Sequence, residues 1–326
     1  MSNIIIPKHV NGTAYNTYLN FSSPNVTKPV KIVEISDLHL WTEDMIGEKN
    51  VLLAAQVIEQ ENPDVILITG DVVNDAGDLQ NEKFCEKLRE LIKRVTGDRL
   101  CIIEKGNHDL TTLIGKKWTK SDGKLLNEAL HNLHNVFFLD DVVAMYLKDN
   151  KDTNGFPNIP INIVGLDLPW EFYFTEKENP EAFKKYWNKR FPDKDVVFRD
   201  DAFNVLAMHA IGNFVELYDS LGMGKKPEVG FCGHYHGGMF PVASEAILPG
   251  TIGMISPAMK IAQRNLRGTF DCGETTISIG NSINTRVELP ILNNNPLYGP
   301  SIRIATIHPA LFNAATKIKR QRVVFK

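Results

Sequence analysis

The stretch Asp64-Val-Ile-Leu-Ile-Thr-Gly-Asp71 constrains the fold more than any other. Val65 to Ile68 form a short continuous apolar run without period-two alternation, as expected of a parallel strand covered on both faces. Parallel neighbours need crossovers, and helical periodicity lies on both sides of the run. Before it, Val51, Leu52, Ala55 and Ile58 recur at helical spacing over about Lys49 to Glu61, with Pro63 closing the helix. After it, Phe84, Leu88, Leu91, Ile92 and Val95 make one apolar stripe over about Asn81 to Val95. Ile32 to Ile35 and Leu100 to Glu104 read as the flanking strands.

Each of these strands runs into polar residues. Ile32 to Ile35 leads to Ser36-Asp37-Leu38-His39, the second run to Gly70-Asp71, and the third to Gly106-Asn107-His108-Asp109. Phe203 to Met208 delivers His209, and the run from Glu228 ends in Gly233-His234-Tyr235-His236. In open α/β sheets, the carboxyl ends of strands are where ligands bind.

The remaining chain predicts a lead-in strand and loop over residues 1–30 and a helix capped by Ser121 and running through His131. Apolar pieces follow at Val136 to Leu139, Val142 to Leu147 and Ile159 to Leu166, with a surface loop over 148–158. Pro180 to Lys189 and Gly212 to Leu221 read as helices, and Thr275 to Ile279 and Ile302 to Ile307 as strands. No repeat, low-complexity tract or linker interrupts the chain, so residues 1–326 are expected to form a single domain. About 310–326 is expected to be a solvated basic tail, because Lys317, Lys319, Arg320, Arg322 and Lys326 are accompanied by no acid. Weak attachment of this tail to an anionic membrane or nucleic acid is the lesser reading.

A formal charge of -3 over 326 residues gives no broad basic footprint, so nucleic acid is not favoured as a partner and a small soluble substrate is expected. Cys85, Cys101, Cys232 and Cys272 contain no Cys-x-x-Cys pair, which excludes a zinc knuckle or thioredoxin motif and suits reduced thiols. The start of the chain lacks a signal-peptide core, and no stretch reaches the roughly 18 apolar residues of a membrane span. A cytoplasmic location is expected; oligomeric state is not legible.

The strand-end residues are Asp37, His39, Asp71, Asn107, His108, His209, His234 and His236, five of the nine histidines among them. Carboxylate oxygens with neutral imidazoles suit a divalent transition metal. Any one of these motifs alone reads sooner as a turn satisfying backbone groups than as a ligand site. Their recurrence at the ends of apolar strands is the signal. His131 and His134, at helical spacing, read as an exposed pair, and His9 and His308 have no partners in sequence. Trp41, Trp170, Phe172 and Tyr173 read as core aromatics before substrate contacts.

Asp37-x-His39, Gly70-Asp71, Gly106-Asn107-His108-Asp109, His209 and Gly233-His234-x-His236 together resemble the calcineurin-like metallophosphoesterase superfamily, in order and spacing, over about 200 residues. The run Gly233-His234-Tyr235-His236-Gly237-Gly238, with Met239-Phe240-Pro241 after it and Asn295-Pro296-Leu297 near the C-terminus, is similar to a bacterial branch of it. The resemblance implies an α/β fold of two mixed β-sheets packed face to face as a sandwich flanked by helices, in four layers.

It also implies two divalent transition-metal ions, Mn, Fe or Zn. One would be held by Asp37, His39 and His236 and the other by Asn107, His209 and His234, with Asp71 bridging and His108 beside the phosphate. The implied reaction is hydrolysis of a phosphomonoester or phosphodiester by in-line attack of a metal-bridging hydroxide, two ions roughly 3.5–4 Å apart clamping both oxygens. The alternatives are a nuclease and a catalytically inactive scaffold of the same fold. The chain departs from the pattern at Asn74-Asp75, at Ala210-Ile211 after His209, and at Tyr235 where a threonine is commoner. These departures bear on substrate preference; every implied ligand is present.

Overall fold

The computed structural model describes residues 9–42, 47–115, 117–139, 144–148, 158–174, 180–193, 197–239, 251–252, 264–284, 299–310 and 319–325. The first half of the chain follows the expected strand–helix grammar. Strands β1 (Gly12–Ser23) and β2 (Val30–Ile35) precede helix α1 (Glu48–Glu61), and β3 (Val65–Thr69) is followed by α2 (Glu82–Thr96) and β4 (Leu100–Glu104). α2 starts where Asn81 Oδ1 accepts from the amides of Lys83 and Phe84. α1 stops at Asn62, which turns left-handed with its amide on Ile58 O.

Beyond β4 come a short hairpin, β5 (Thr111–Ile114) and β6 (Lys117–Lys120), then α3 (Leu125–Leu130) and strands β7 (Val136–Phe138), β8 (Ala144–Tyr146) and β9 (Ile161–Gly165). Helices α4 (Glu171–Phe174) and α5 (Pro180–Arg190) lead to β10 (Phe203–Ala207), α6 (Gly212–Leu217), β11 (Val229–Cys232), β12 (Gly268–Cys272), β13 (Thr275–Ile279), β14 (Ser301–Pro309) and β15 (Lys319–Phe325).

Two large mixed sheets result. One runs β15-β1-β14-β2-β3-β4-β7, and the other β12-β13-β11-β10-β9-β8. Within them β2, β3, β4 and β7 are mutually parallel, as are β9, β10, β11 and β13. The continuous apolar runs are explained by a two-sided division of side chains. Ile32, Val65, Leu67, Leu100 and Ile102 pack with Ile161, Ile163, Phe203, Val205 and Phe231 of the other sheet. The alternate residues Val33, Ile35, Ile66, Ile68 and Ile103 pack under α1 and α2, while Val164 and Leu206 pack under α5 and α6 with Phe183, Trp187 and Phe214. The fold is therefore a helix–sheet–sheet–helix sandwich.

Several sequence-based expectations are corrected. Ser121 does not cap a helix: its amide closes the base of the β5–β6 hairpin on Leu110 O, and Asp122 Oδ1 instead accepts from Lys124 ahead of a short α3. α6 ends at Leu217 and passes into a tighter turn over Tyr218–Ser220. β1 is more than a lead-in, since it runs inside the sheet between β14 and β15. Lys319–Phe325 is no solvated tail: it pairs antiparallel with β1, and Phe325 packs onto the helix-side core. Its basic residues fit an edge strand, where charge discourages pairing with further chains. Most of the 148–158 loop, Phe240-Pro241 and Asn295-Pro296-Leu297 lie outside the described residues.

Candidate metal centre

The parallel register places the carboxyl ends of β2, β3, β4, β10 and β11 along one edge of the sandwich, and the eight candidate residues follow those five strands. Immediately past the strands the backbone does something unusual. Among the described residues, eight non-glycine positions have φ in the left-handed region, and five of them are Asp37, His39, Asp71, His234 and His236, with φ between 42° and 66°. Such conformations cost on the order of 1–3 kcal/mol each and persist where surrounding structure enforces them. Here the enforcement is visible in the amides: Asp37 N donates to Gly70 O and His39 N to Asp71 O, at 3.0 and 2.9 Å. The approach is so close that a methyl on Gly106 would sit 2.2 Å from Asp71 Oδ1, and one on Gly70 2.2 Å from His209 Nδ1. This is why glycines precede Asp71 and Asn107.

The side chains converge in two groups. Asp37, His39 and His236 bring ligand atoms within 4.8 Å of one another, as do Asp71, His209 and His234. In the first group His39 Nε2 lies 3.3 Å from His236 Nε2, with the rings stacked 5.0 Å apart, and Asp37 Oδ1 is 3.9 and 3.8 Å from those nitrogens. In the second, His234 Nδ1 is 2.9 Å from Asn107 Oδ1, and His209 Nε2 is 3.0 Å from Asp71 Oδ2. Asp71 Oδ2 also lies 3.6 Å from His39 Nε2, so one carboxylate oxygen reaches a nitrogen of each group. His209 Nδ1 donates to Thr69 O at 2.8 Å, a carbonyl that can only accept, which fixes the ring and turns Nε2 inward toward Asp71.

Burial sets the electrostatics. It drives His39 and His234 well below the ordinary histidine value, so both are neutral imidazoles. Burial pulls on His209 too, but the carboxylates of Asp71, Asp37 and Glu104 outweigh it and hold that ring up to about 10. Burial, aided by the neighbouring Asp71 charge, pushes Asp37 up to about 6, while in Asp71 the same desolvation is overcome by His209 and His108, which hold it well below the usual carboxylate range. Asp37 Oδ2 is buried and accepts no hydrogen bond among the described residues, and His39 Nδ1 has none either. Buried anionic oxygens without partners are costly. The mixed nitrogen and oxygen donors around them fit divalent transition metals.

His108 stands beside the first group. Its amide donates to Asp71 Oδ1 at 2.8 Å, its Nδ1 donates to Asn74 O at 2.6 Å, and its ring meets His39 edge-on at 4.8 Å. A ring nitrogen of His108 comes within 4.8 Å of ligand atoms of His39 and Asp71, nearer than adjacency to Asn107 suggests. Asp109, the fourth residue of that motif, serves the backbone, accepting from Val73 and Gly106 amides. Asp75 likewise accepts from the amides of Gly77 and Leu113.

Two aromatic residues join the site. Tyr173 places its ring 5.7 Å from His209 and 5.3 Å from His234, whereas its neighbour Phe172 packs on Phe183 and Tyr186 in the core. Trp118 meets His108 edge-on at 4.9 Å. Nothing in the sequence singled out Trp118, because no element was read between Asp109 and Ser121. His131 and His134 belong to no ligand cluster among the described residues.

The chain was compared with known proteins. No curated protein sequence matches it significantly. Solved structures resemble it only distantly. A purple acid phosphatase from yellow lupin (Lupinus luteus) seeds shares 10% identity at TM-score 0.35, covering 93% of this chain and 50% of that one, so this chain spans half the length of the lupin chain. A dimetal phosphatase from Danio rerio shares 10% identity at TM-score 0.46, covering 91% and 99%, and a phosphopantetheinyl hydrolase from Mycobacterium tuberculosis 14% at 0.38, covering 79% and 92%. The family model for calcineurin-like phosphoesterases, by contrast, matches residues 30–238, well over half of the chain and all eight candidate positions. The chain belongs to the calcineurin-like phosphoesterase family, a family of phosphoric ester hydrolases.

Proposed function

We propose that the protein is a binuclear metal-dependent phosphohydrolase acting on a small phosphomonoester or phosphodiester. The observation that carries this reading is Asp71 Oδ2, which lies within 3.6 Å of His39 Nε2 and 3.0 Å of His209 Nε2 and so stands between two converging donor sets. Asp37, His39 and His236 would hold one cation, and Asn107, His209 and His234 the other, with Asp71 shared. Two such cations would supply Lewis-acid charge to the phosphoryl oxygens and would lower the pKa of a bound water for in-line displacement.

The chain's own groups do the rest. Asp71 is kept ionised and its second oxygen is occupied by the His108 amide, so it presents Oδ2 in one direction. Thr69 O and Asn107 Oδ1 orient the rings of His209 and His234. Asn74 O holds a proton on His108 Nδ1, which leaves Nε2 to face the phosphate, either to donate a proton to the departing oxygen or to balance its charge. Tyr173 packs its ring against both His209 and His234 and helps to hold them in place. The match to the Gly-Gly branch is carried by residues 233–238 and remains part of this proposal. So does a cytoplasmic location, supported by four free cysteines. No helix among the described residues is long and apolar enough to cross a membrane.

The test is to strip the protein with chelator, titrate Mn, Fe or Zn back, and assay p-nitrophenyl phosphate beside bis(p-nitrophenyl) phosphate. Close to two ions per chain and activity rising with the second ion are expected. One ion or none after metal-supplemented expression, or full activity without metal, would overturn the reading.

A further inference from the structure

The β5–β6 hairpin has no part in the metal centre, yet it leaves the chain directly after His108. We propose that Trp118 forms a leaving-group subsite, selecting phosphoesters whose departing group carries a planar ring. The inference rests on the dinuclear hydrolase reading above and assigns its substrate class.

The geometry runs outward from the metal ligands as a row of rings. His236 stacks on His39, His39 meets the edge of His108 at 4.8 Å, and His108 meets the edge of Trp118 at 4.9 Å. A group departing past His108, on the side away from the ligands, would meet the indole. Trp118 is half-buried, so part of the ring remains open beyond its contact with His108. Its cross-strand partner is Leu113, which shares that face of the hairpin and is 45% exposed. Leu113 is one of only four exposed large apolar side chains among the described residues, and its neighbour Ile114 is another.

A two-stranded hairpin has no core of its own, and this one is held in place by other means. Leu113 N donates to Asp75 Oδ2, and Thr111 Oγ1 to Asn107 O. The last bond ties the hairpin to the residue beside His108. The indole is thus fixed relative to the phosphate position, as a specificity surface must be. An aromatic surface beside a cationic centre favours a ring with delocalised electrons, as in an aryl or nucleoside ester, through edge and offset contacts that a small alkyl group cannot make.

The experiment measures binding by calorimetry on the metal-loaded full chain, with phenylphosphonate, cyclohexylphosphonate and methylphosphonate as non-hydrolysable probes. Wild type is expected to prefer the phenyl over the methyl compound by about 3- to 10-fold, with cyclohexyl in between, from the usual worth of an aromatic pair. Trp118→Ala should bring the phenyl-to-methyl ratio close to one, and Trp118→Phe should keep it. A ratio unchanged in Trp118→Ala, or cyclohexyl binding as tightly as phenyl, would overturn the ring subsite. Methylphosphonate binding without phenyl preference in wild type would overturn this inference alone, whereas no phosphonate binding to protein with two ions would overturn it together with the hydrolase reading.

Discussion

The two halves of the centre are built from similar donors but differ in how charge is supplied. The Asp37–His39–His236 half has a carboxylate of its own. Behind it lies Glu34, whose oxygens receive Thr69 Oγ1 at 2.6 Å and face Arg303 Nη1 at 3.5 Å. The Asn107–His209–His234 half has only a neutral amide and two imidazoles. The carboxylate behind it, Glu104, is fully buried, and burial raises it well above the usual carboxylate range. On the proposed assignment the first half would hold its cation on a carboxylate of its own, while the second would depend on Asp71 for negative charge among its ligands. A shared carboxylate would then complete one half and supply most of the charge of the other.

The largest effect should come from that dependence. Asp71→Asn is expected to lower kcat/KM by more than about 10³-fold and to empty the second half outright, since neither group then offsets two cations. Elemental analysis should find one ion or none per chain. Losses equal to those of Asp37→Asn, with metal content unchanged in both, would remove the shared role and with it the contrast between halves.

His108 touches His39 and the shared Asp71, and its replacement should separate chemistry from metal binding. His108→Ala should keep both ions and slow esters with poor alkoxide leaving groups by about 10²–10⁴-fold, with p-nitrophenyl esters much less affected, if it donates a proton. A uniform fall across both ester types would assign it to charge stabilisation instead. Loss of metal would make it a ligand.

The halves should also part company under chelation. Asn107→Ala is expected to weaken the second ion by about 10- to 100-fold while leaving the first in place, and Asp37→Asn to do the reverse at greater cost to activity. A chelator titration of wild type should show two separated steps, the Asn107 half emptying first. A single step, or first-half loss in Asn107→Ala, would show the charge argument to be insufficient.

The smallest effect concerns the supports. Burial raises Glu34 to about 7, against 4.5 in an unfolded chain, despite Arg303 and Thr69. Because the folded state holds this proton more tightly, its contribution to stability is complete below about pH 4.5 and is lost as pH rises towards 7, by up to about 3 kcal/mol. Thermal melts of metal-free protein should show stability falling over this window in wild type and a flatter profile in Glu34→Gln. Identical slopes would mean that Arg303 keeps Glu34 ionised throughout.

How far all this could be read in advance differs by residue. Val65 to Ile68 announced a doubly covered parallel strand because burial on both faces leaves no polar position to place. Phe84, Leu88, Leu91, Ile92 and Val95 announced α2 for the same local reason, a period of side chains along one helix. The candidate ligands were legible as polar residues at strand ends. Trp118 was not, since the Lys117–Lys120 strand is too short for a period to show and Ser121 looked like a helix cap. β15 was missed because a row of basic residues looks the same whether solvated or lying along a sheet edge.

What the sequence determined by itself is thus whatever depends on spacing along the chain: the strand–helix alternation, the apolar periods, the order of carboxylates and imidazoles. What tertiary structure decided is where those residues face. His209 is oriented by Thr69 from 140 positions away, and Asp37, His39, Asp71, His234 and His236 take left-handed conformations that no residue type there would choose alone. Amides and carbonyls of neighbouring strands impose them, and those partners exist only once the sheets have formed.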